Sequence, residues 1–205
     1  CKQVDIVTCI GDVDSHEGLI PQSLRPNVGL RTFTRGGAPT TLKRRFVDPS
    51  YMRKLFEVYF MNDEPLTSDV QGEVDRTIAE MAPEYDVVIA ADFGHGIISK
   101  SSIAALTKNS RFLAVNTQSN SANLGFNLIT RYDRADYICI DLPEARLAVS
   151  DRMSVAGDLA RRLIEEKVNC SKIIVTQGKH GCVTLERGGI VHTIPAFAKN
   201  VIDTV

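Results

Sequence analysis

The sequence has no excess of charge of either sign: 24 Lys and Arg stand against 25 Asp and Glu, for a net charge of −1 with histidine neutral. A chain that grips nucleic acid needs a basic surplus to neutralise phosphates, so nucleic acid is not an expected partner. The densest basic run, Lys43-Arg44-Arg45, is short and reads as a solvated edge or a small-anion contact rather than a DNA-binding stripe. Long apolar runs are missing as well. None approaches the roughly 20 residues that cross a bilayer, and the opening CKQVDIVTCI lacks the extended apolar region of a secretory signal. No membrane partner is expected, and a cytoplasmic location is. The five cysteines, Cys1, Cys9, Cys139, Cys170 and Cys182, are odd in number and none pairs at CxxC spacing. That argues against a disulfide framework and for buried free thiols in a reducing compartment. The four histidines show no HExxH spacing, and neither a GxSxG elbow nor a GxxxxGK[ST] phosphate loop is present.

What remains is ordinary for a globular chain: 205 residues, 43% hydrophobic and 24% charged. At about 150 residues per domain this is one domain or slightly more, long enough for a real core. Short runs rich in Val and Ile recur at 4–10, 87–91, 112–115, 137–140 and 173–176. Continuous apolar character marks strands covered on both faces. Helical stripes lie between them. Val70, Val74, Ile78 and Met81 step by four, four and three, and Val155, Leu159, Leu163 and Val168 form a second stripe over 154–168, with Ser154 as its N-cap. A third helix starts near Ser99. The alternation predicts an α/β fold with a mainly parallel central sheet flanked by helices. Two segments depart from it. Residues 55–61 alternate with period two and, with 44–47, suggest a hairpin outside the main sheet. Residues 182–186 and 190–193 flank Arg187-Gly188-Gly189, a hairpin signal.

Ligands of open α/β sheets bind at the carboxyl ends of the strands, so the residues after each apolar run are the candidates. The first group is Asp92-Phe93-Gly94-His95-Gly96, where the glycines allow a tight turn or a close backbone approach. The second is Asp141-Leu142-Pro143-Glu144. Here Asp141 reads as a helix cap ahead of Pro143, or, with Glu144, as a pair of carboxylates able to hold a hydrated Mg²⁺. The third is Thr176-Gln177-Gly178-Lys179-His180-Gly181, which is not GxGxxG. It is either a glycine-rich connection or a loop whose N–H groups and Thr176 hydroxyl touch phosphate oxygens.

In order along the chain these pieces resemble the ribokinase/PfkB family of carbohydrate kinases. Gly11-Asp12-Val13-Asp14-Ser15-His16-Glu17-Gly18 resembles its GxDxxG-type segment. Pro39 to Arg45 and Asp92 to Gly96 resemble the TTxKxR and DYGKG segments of its heptose-phosphate kinase branch, the kinase part of ADP-heptose synthase. Asp141 to Glu144 matches the NxxE position, Thr176 to Gly181 the TxGxxG nucleotide loop, and Asp203-Thr204-Val205 the start of the DTxGAGD signature.

The resemblance implies a ribokinase-like fold and ATP-dependent phosphoryl transfer to a hydroxyl of a sugar or sugar phosphate, with Mg²⁺. It implies that Thr176, Gly178 and Gly181 line the ATP site and that Glu144 holds Mg²⁺ through water with Asp141 beside it. Lys43 meets a phosphate, and Asp92, Gly94 and Gly96 border the cleft. Asp203 and Thr204 open a signature whose anion hole and base, an Asp, are expected beyond Val205. No catalytic residue is then expected within the chain, and residues 1–205 read as an incomplete kinase domain, inactive alone, with 30–61 as a lid or lid-adjacent β segment. A homodimer through that lid and a fused nucleotidyltransferase domain accompany the branch. Two substitutions depart from its pattern: Asp141 stands where Asn is usual, and His95 where the heptose branch has Lys. They motivate an alternative reading as a kinase-like binding or assembly module without turnover. A third reading, a nucleotide-binding oxidoreductase, is weakened by the missing GxGxxG.

Overall fold

Parallel pairing begins at the amino-terminal side. Strand β1 (Val4–Val13) is joined through the short helix α1 (Leu19–Ser23) to β2 (Val28–Pro39), and the two lie parallel with Val4 opposite Val28 and Gly11 opposite Arg35. The computed structural model describes residues 1–120 and 123–197. The predicted signature start at Asp203 and Thr204 lies outside the described residues. Strand β2 carries no clear apolar run, and only the expected β segment over 30–61 overlaps it. Gly11 is needed at the bulge that follows their pairing: a Cβ there would stand 2.0 Å from the Ala38 carbonyl oxygen. Its N–H donates to Thr40 Oγ1 at 2.9 Å, and that hydroxyl donates to the Ser15 carbonyl at 2.6 Å. The two motif segments around Gly11 and Thr40 are thus tied together.

Strands β3 (Leu42–Asp48) and β4 (Arg53–Phe60) form an antiparallel hairpin with a sheet of its own. Of the 30–61 segment, then, only the latter part stands outside the β1–β2 pairing. Phe46 and Phe56 stack with ring centroids 4.5 Å apart. The expected alternation is present, but the hairpin is not half-buried: Phe56, Val58 and Phe60 on one side are exposed, as is Tyr59 on the other.

Helix α2 (Ser68–Met81) contains the whole expected stripe from Val70 to Met81. From there the chain alternates: β5 (Val88–Asp92), α3 (Lys100–Asn109), β6 (Leu113–Thr117), β7 (Arg134–Asp141), α4 (Leu142–Val149), α5 (Ala156–Arg162), β8 (Asn169–Thr176), β9 (Cys182–Glu186) and β10 (His192–Ile194). The last six strands form one sheet in the order β10-β9-β8-β7-β6-β5, parallel from β5 to β8 and antiparallel at β9 and β10. Its core is made by Leu113, Val115, Ile138, Ile140, Ile173 and Val175 with Leu159, Leu163 and Ile164, all essentially inaccessible. Each such side chain contributes about 1.5–3 kcal/mol by leaving water.

Two compact units result, one of Cys1–Val74 with His95–Ile97 and one of Asp75–Gly94 with Ile98–Val205. Among the described residues no helix is long and apolar enough to cross a membrane.

Local details correct three expectations. Helix α3 starts where expected, and Ser99 caps it, its side chain accepting from the Ser102 N–H. Ser154 caps nothing. The N-cap of α5 is Val155, and Asp151 upstream gathers the N–H groups of Met153 and Ser154, the Ser154 hydroxyl and the Arg162 guanidinium. The stripe to Val168 is about two turns of α-helix followed by a π-type stretch, Leu163–Lys167. The thiols are all free, yet only Cys170 is buried and Cys1 is exposed.

Candidate functional site

The carboxyl ends of the parallel strands fall in one row. Register pairs Asp92 with Thr117 across β5 and β6, and Asp141 with Thr176 across β7 and β8. The sequence candidates of the second unit therefore share one edge of one sheet, as strands of equal direction and matched length require.

At the β7 end, Asp141 begins α4 with a reciprocal cap. Its Oδ1 accepts from the Glu144 N–H at 2.8 Å, and Glu144 Oε2 accepts from the Asp141 N–H at 3.0 Å. The helix-cap reading of Asp141 is thus present in the structure. Glu144 also reaches sideways, its Oε1 accepting from the Ser119 N–H at 2.9 Å, which binds the loop after β6 to the start of α4. Ser119 gave no signal in the sequence. Burial is the largest influence on Glu144 and pushes its carboxyl up to about 7, with the Asp141 charge adding to it and the two backbone N–H bonds opposing it. A carboxyl raised in the folded state favours folding below its unfolded value near 4.5, and that contribution is lost as pH rises through about 7. Stability should therefore decline across this window, and Glu144→Gln should flatten the decline in denaturant titrations run from pH 4 to 8. An unchanged pH slope in the variant would refute this.

At the β8 end, Thr176 leads into a 3₁₀ turn, Gly178–His180, closed by the Gln177 N–H donating to the Gly181 carbonyl at 2.8 Å. Gly178 and Gly181 both have positive φ. The loop is short and returns at once into β9, as the sequence suggested. Thr176, Gly178, Gly181, Asp141 and Glu144 are thus carried on adjacent strands.

At the β5 end, Asp92 is 2% exposed. Its carboxylate accepts from the Gly94 N–H and from the Tyr132 hydroxyl, each at 3.0 Å, and pairs with Arg131 at 3.3 Å. Gly94 has φ +69, and a Cβ there would meet Asn123 and Asn127. Gly96 and Lys43 belong to the first unit. Gly96 packs against the Glu64 carbonyl, and Arg35 donates to that carbonyl at 2.5 Å and to the His95 carbonyl at 3.2 Å. Lys43, on β3, holds its Nζ 4.9 Å from the Tyr59 ring centroid. Arg35, Asn127, Arg131 and Tyr132 escaped the sequence reading because none sits in a motif or at a strand end.

Among the described residues no cluster of three or more His, Cys, Asp or Glu side chains is arranged to hold a metal ion. Mg²⁺ needs only one or two carboxylates, with water and phosphate completing its shell. Exposed Asp141 beside Glu144 fits that modest demand; it does not fit an ion enclosed by protein ligands.

The overall arrangement matches solved kinases. Ribokinase from Giardia lamblia superposes with a TM-score of 0.69 at 12% identity, covering 96% of this chain and 61% of that one. Phosphofructokinase-2 from Escherichia coli gives 0.68 at 12% identity, covering 96% and 64%. This chain is ribokinase-like in fold. No family model matches it. In sequence, the ribokinase-like chain is 26% identical over 203 residues to the bifunctional protein HldE of Hyphomonas neptunium, a match that takes in 97% of this chain and 40% of that protein. HldE of Nitrobacter hamburgensis is 26% identical over 171 residues. The chain thus spans well under half the length of these curated relatives.

Proposed function

We propose that the chain supplies the nucleotide-side framework of an ATP-dependent carbohydrate kinase that phosphorylates a hydroxyl of a sugar or sugar phosphate, with a heptose phosphate the favoured class. The observation that carries this is the alignment of Asp141, Glu144, Thr176 and the 177–181 turn at the carboxyl ends of neighbouring strands β7 and β8. That edge is where open α/β sheets bind ligands, and the likeness to HldE supports the sugar-phosphate class.

On this reading Thr176 and the N–H groups about Gly178 and Gly181 receive phosphate oxygens of ATP, while Glu144 and Asp141 hold Mg²⁺ through water. Bound Mg²⁺-ATP supplies the transferable phosphoryl group and the charge that offsets the two carboxylates. Asp92 and Gly94 shape the sugar side, while the roles of Gly96 at the cleft and of Lys43 at a phosphate rest on the motif resemblance alone. Asp203 and Thr204 open the signature region, and proton acceptance is assigned to no described residue. We place the protein in the cytoplasm, as a homodimer through the exposed β3–β4 hairpin, with a nucleotidyltransferase domain as the fused partner suggested by its bifunctional relatives.

The test is direct. The full-length protein that carries this chain is given Mg²⁺-ATP and a panel of hexose and heptose phosphates; nucleotide binding is read by calorimetry, ADP release by a coupled assay and sugar products by mass. Nucleotide binding lost on chelation of Mg²⁺, together with a phosphorylated sugar, is the expected result. Binding without ADP release would favour a kinase-like binding module, and absence of nucleotide binding would overturn the proposal.

A further inference from the structure

The turn after β5 is over-determined. Several polar contacts hold residues 92–94: Gly94 N–H and the Tyr132 hydroxyl engage the Asp92 carboxylate, the Gln118 N–H and Asn127 Nδ2 engage the Asp92 carbonyl at 2.9 and 2.8 Å, and, nearer the surface, Asn123 Nδ2 and Asn120 Nδ2 engage the Phe93 carbonyl at 2.9 and 3.4 Å. Arg131 locks the group from behind. It pairs with Asp92, hydrogen-bonds Asn127 Oδ1, and donates to the Ile98 carbonyl at 3.0 Å. Asp92, Asn127 and Tyr132 are all at least 98% buried. Gly94 takes its positive φ at no steric cost, and the Asn123 and Asn127 side chains close against it leave no room for a Cβ. A burial-only role would need no charged pair; Leu in place of Asp92 and Met in place of Arg131 would pack more cheaply.

We propose that Tyr132, with Arg131 and Asn127, is a positioning residue that holds the 92–94 turn in shape for the sugar side of the site. The choice of ligand rests on the kinase reading above. The choice of side follows from the sheet: β5 lies three strands from β8, about 14 Å at the usual spacing, so the nucleotide loop and this turn serve different ends of the transfer. Residues held by buried hydrogen bonds behind a binding loop tune its fit without touching the ligand.

Tyr132→Phe keeps the ring and removes only the hydroxyl. The expected result, with fructose 6-phosphate and a heptose 7-phosphate as probes, is an acceptor KM raised at least tenfold while the KM for ATP stays within twofold. Amide hydrogen exchange at residues 93–96 should speed at least tenfold while the amides of β6, β7 and β8 hold. Unchanged exchange at 93–96 would overturn the proposal, and so would faster exchange throughout the sheet with both KM values moving together, since that is a packing role. Should the wild-type protein transfer no phosphoryl group, the kinase reading falls, and the exchange measurement still decides whether Tyr132 holds the turn.

Discussion

Gly181→Ala should destabilise the protein by at least about 3 kcal/mol and abolish nucleotide binding. Two costs add. The backbone at Gly181 has φ 83 and ψ −131, a conformation that side chains other than glycine's rarely adopt, and leaving a preferred well costs of order 1–3 kcal/mol. The second cost is space. An added Cβ would stand 2.0 Å from the Ile194 carbonyl oxygen and 2.7 Å from the Ala196 nitrogen. Those are backbone atoms of the segment that forms and follows β10, so relief requires moving β10 off β9 or opening the 177–181 turn. For a chain of this length about 3 kcal/mol corresponds to a melting-temperature fall of roughly 6–12 °C. Gly188 is the control: its φ is also positive, at 76, but nothing lies within 4 Å of an added Cβ. Gly188→Ala should cost only about 1–2 kcal/mol, the conformational part alone. Equal melting temperatures for the two variants would show that the close approach at Gly181 has no energetic weight.

The second large effect is at Asp92. Truncation to Ala leaves the Tyr132 hydroxyl without its partner in a fully buried position and strips Arg131 of its counter-charge. Leaving a buried hydroxyl unpaired costs about 1–3 kcal/mol, to which the partly exposed Arg131 adds little, and a melting-temperature fall of roughly 2–12 °C follows. The pH dependence offers an independent reading. Burial, first, and then the Asp92 charge and hydrogen bond push the Tyr132 phenol well above its ordinary value of 10. A group raised in the folded state contributes stability below its unfolded value and loses it as pH climbs beyond. Wild-type stability should therefore fall above pH 10, where unfolded tyrosine ionises and folded Tyr132 does not. Asp92→Ala and Tyr132→Phe should both reduce that slope in denaturant titrations between pH 9 and 11. A full alkaline slope in Tyr132→Phe would assign it to other groups.

Much of the fold can be read in one dimension because its signals are local. The Val- and Ile-rich runs became β5 to β8, as continuous apolar character suggests, but the expected cover on both faces fails at β5, which lies at the sheet edge and exposes Ile89. The four-four-three spacing became α2, and Ser99 became a cap because its hydroxyl needs only the amide three residues on. The misses are also physical. Strand β2 mixes Arg, Thr and Gly with apolar residues, so no period marks it, and its strand identity comes from pairing with β1. Ser154 has a capping side chain, yet Asp151 takes both its N–H and its hydroxyl, a competition between neighbours that propensity does not resolve. The hairpin of β3 and β4 kept its alternation while exposing both faces, because alternation reports strand geometry and says nothing of what covers the strand.

The sequence by itself determined the alternation of strands and helices from α2 onward, the class of fold and the glycines and carboxylates that stand at strand ends, all of which depend on residues within a few positions of one another. Only the tertiary structure decided that Glu144 is shared between a cap and the Ser119 loop, and that Asp92 faces inward to Tyr132 and Arg131 across about forty residues of chain. Such partners are chosen by where parallel strands place their ends, and register across a sheet is set by the packing of the whole core, not by any stretch of sequence alone.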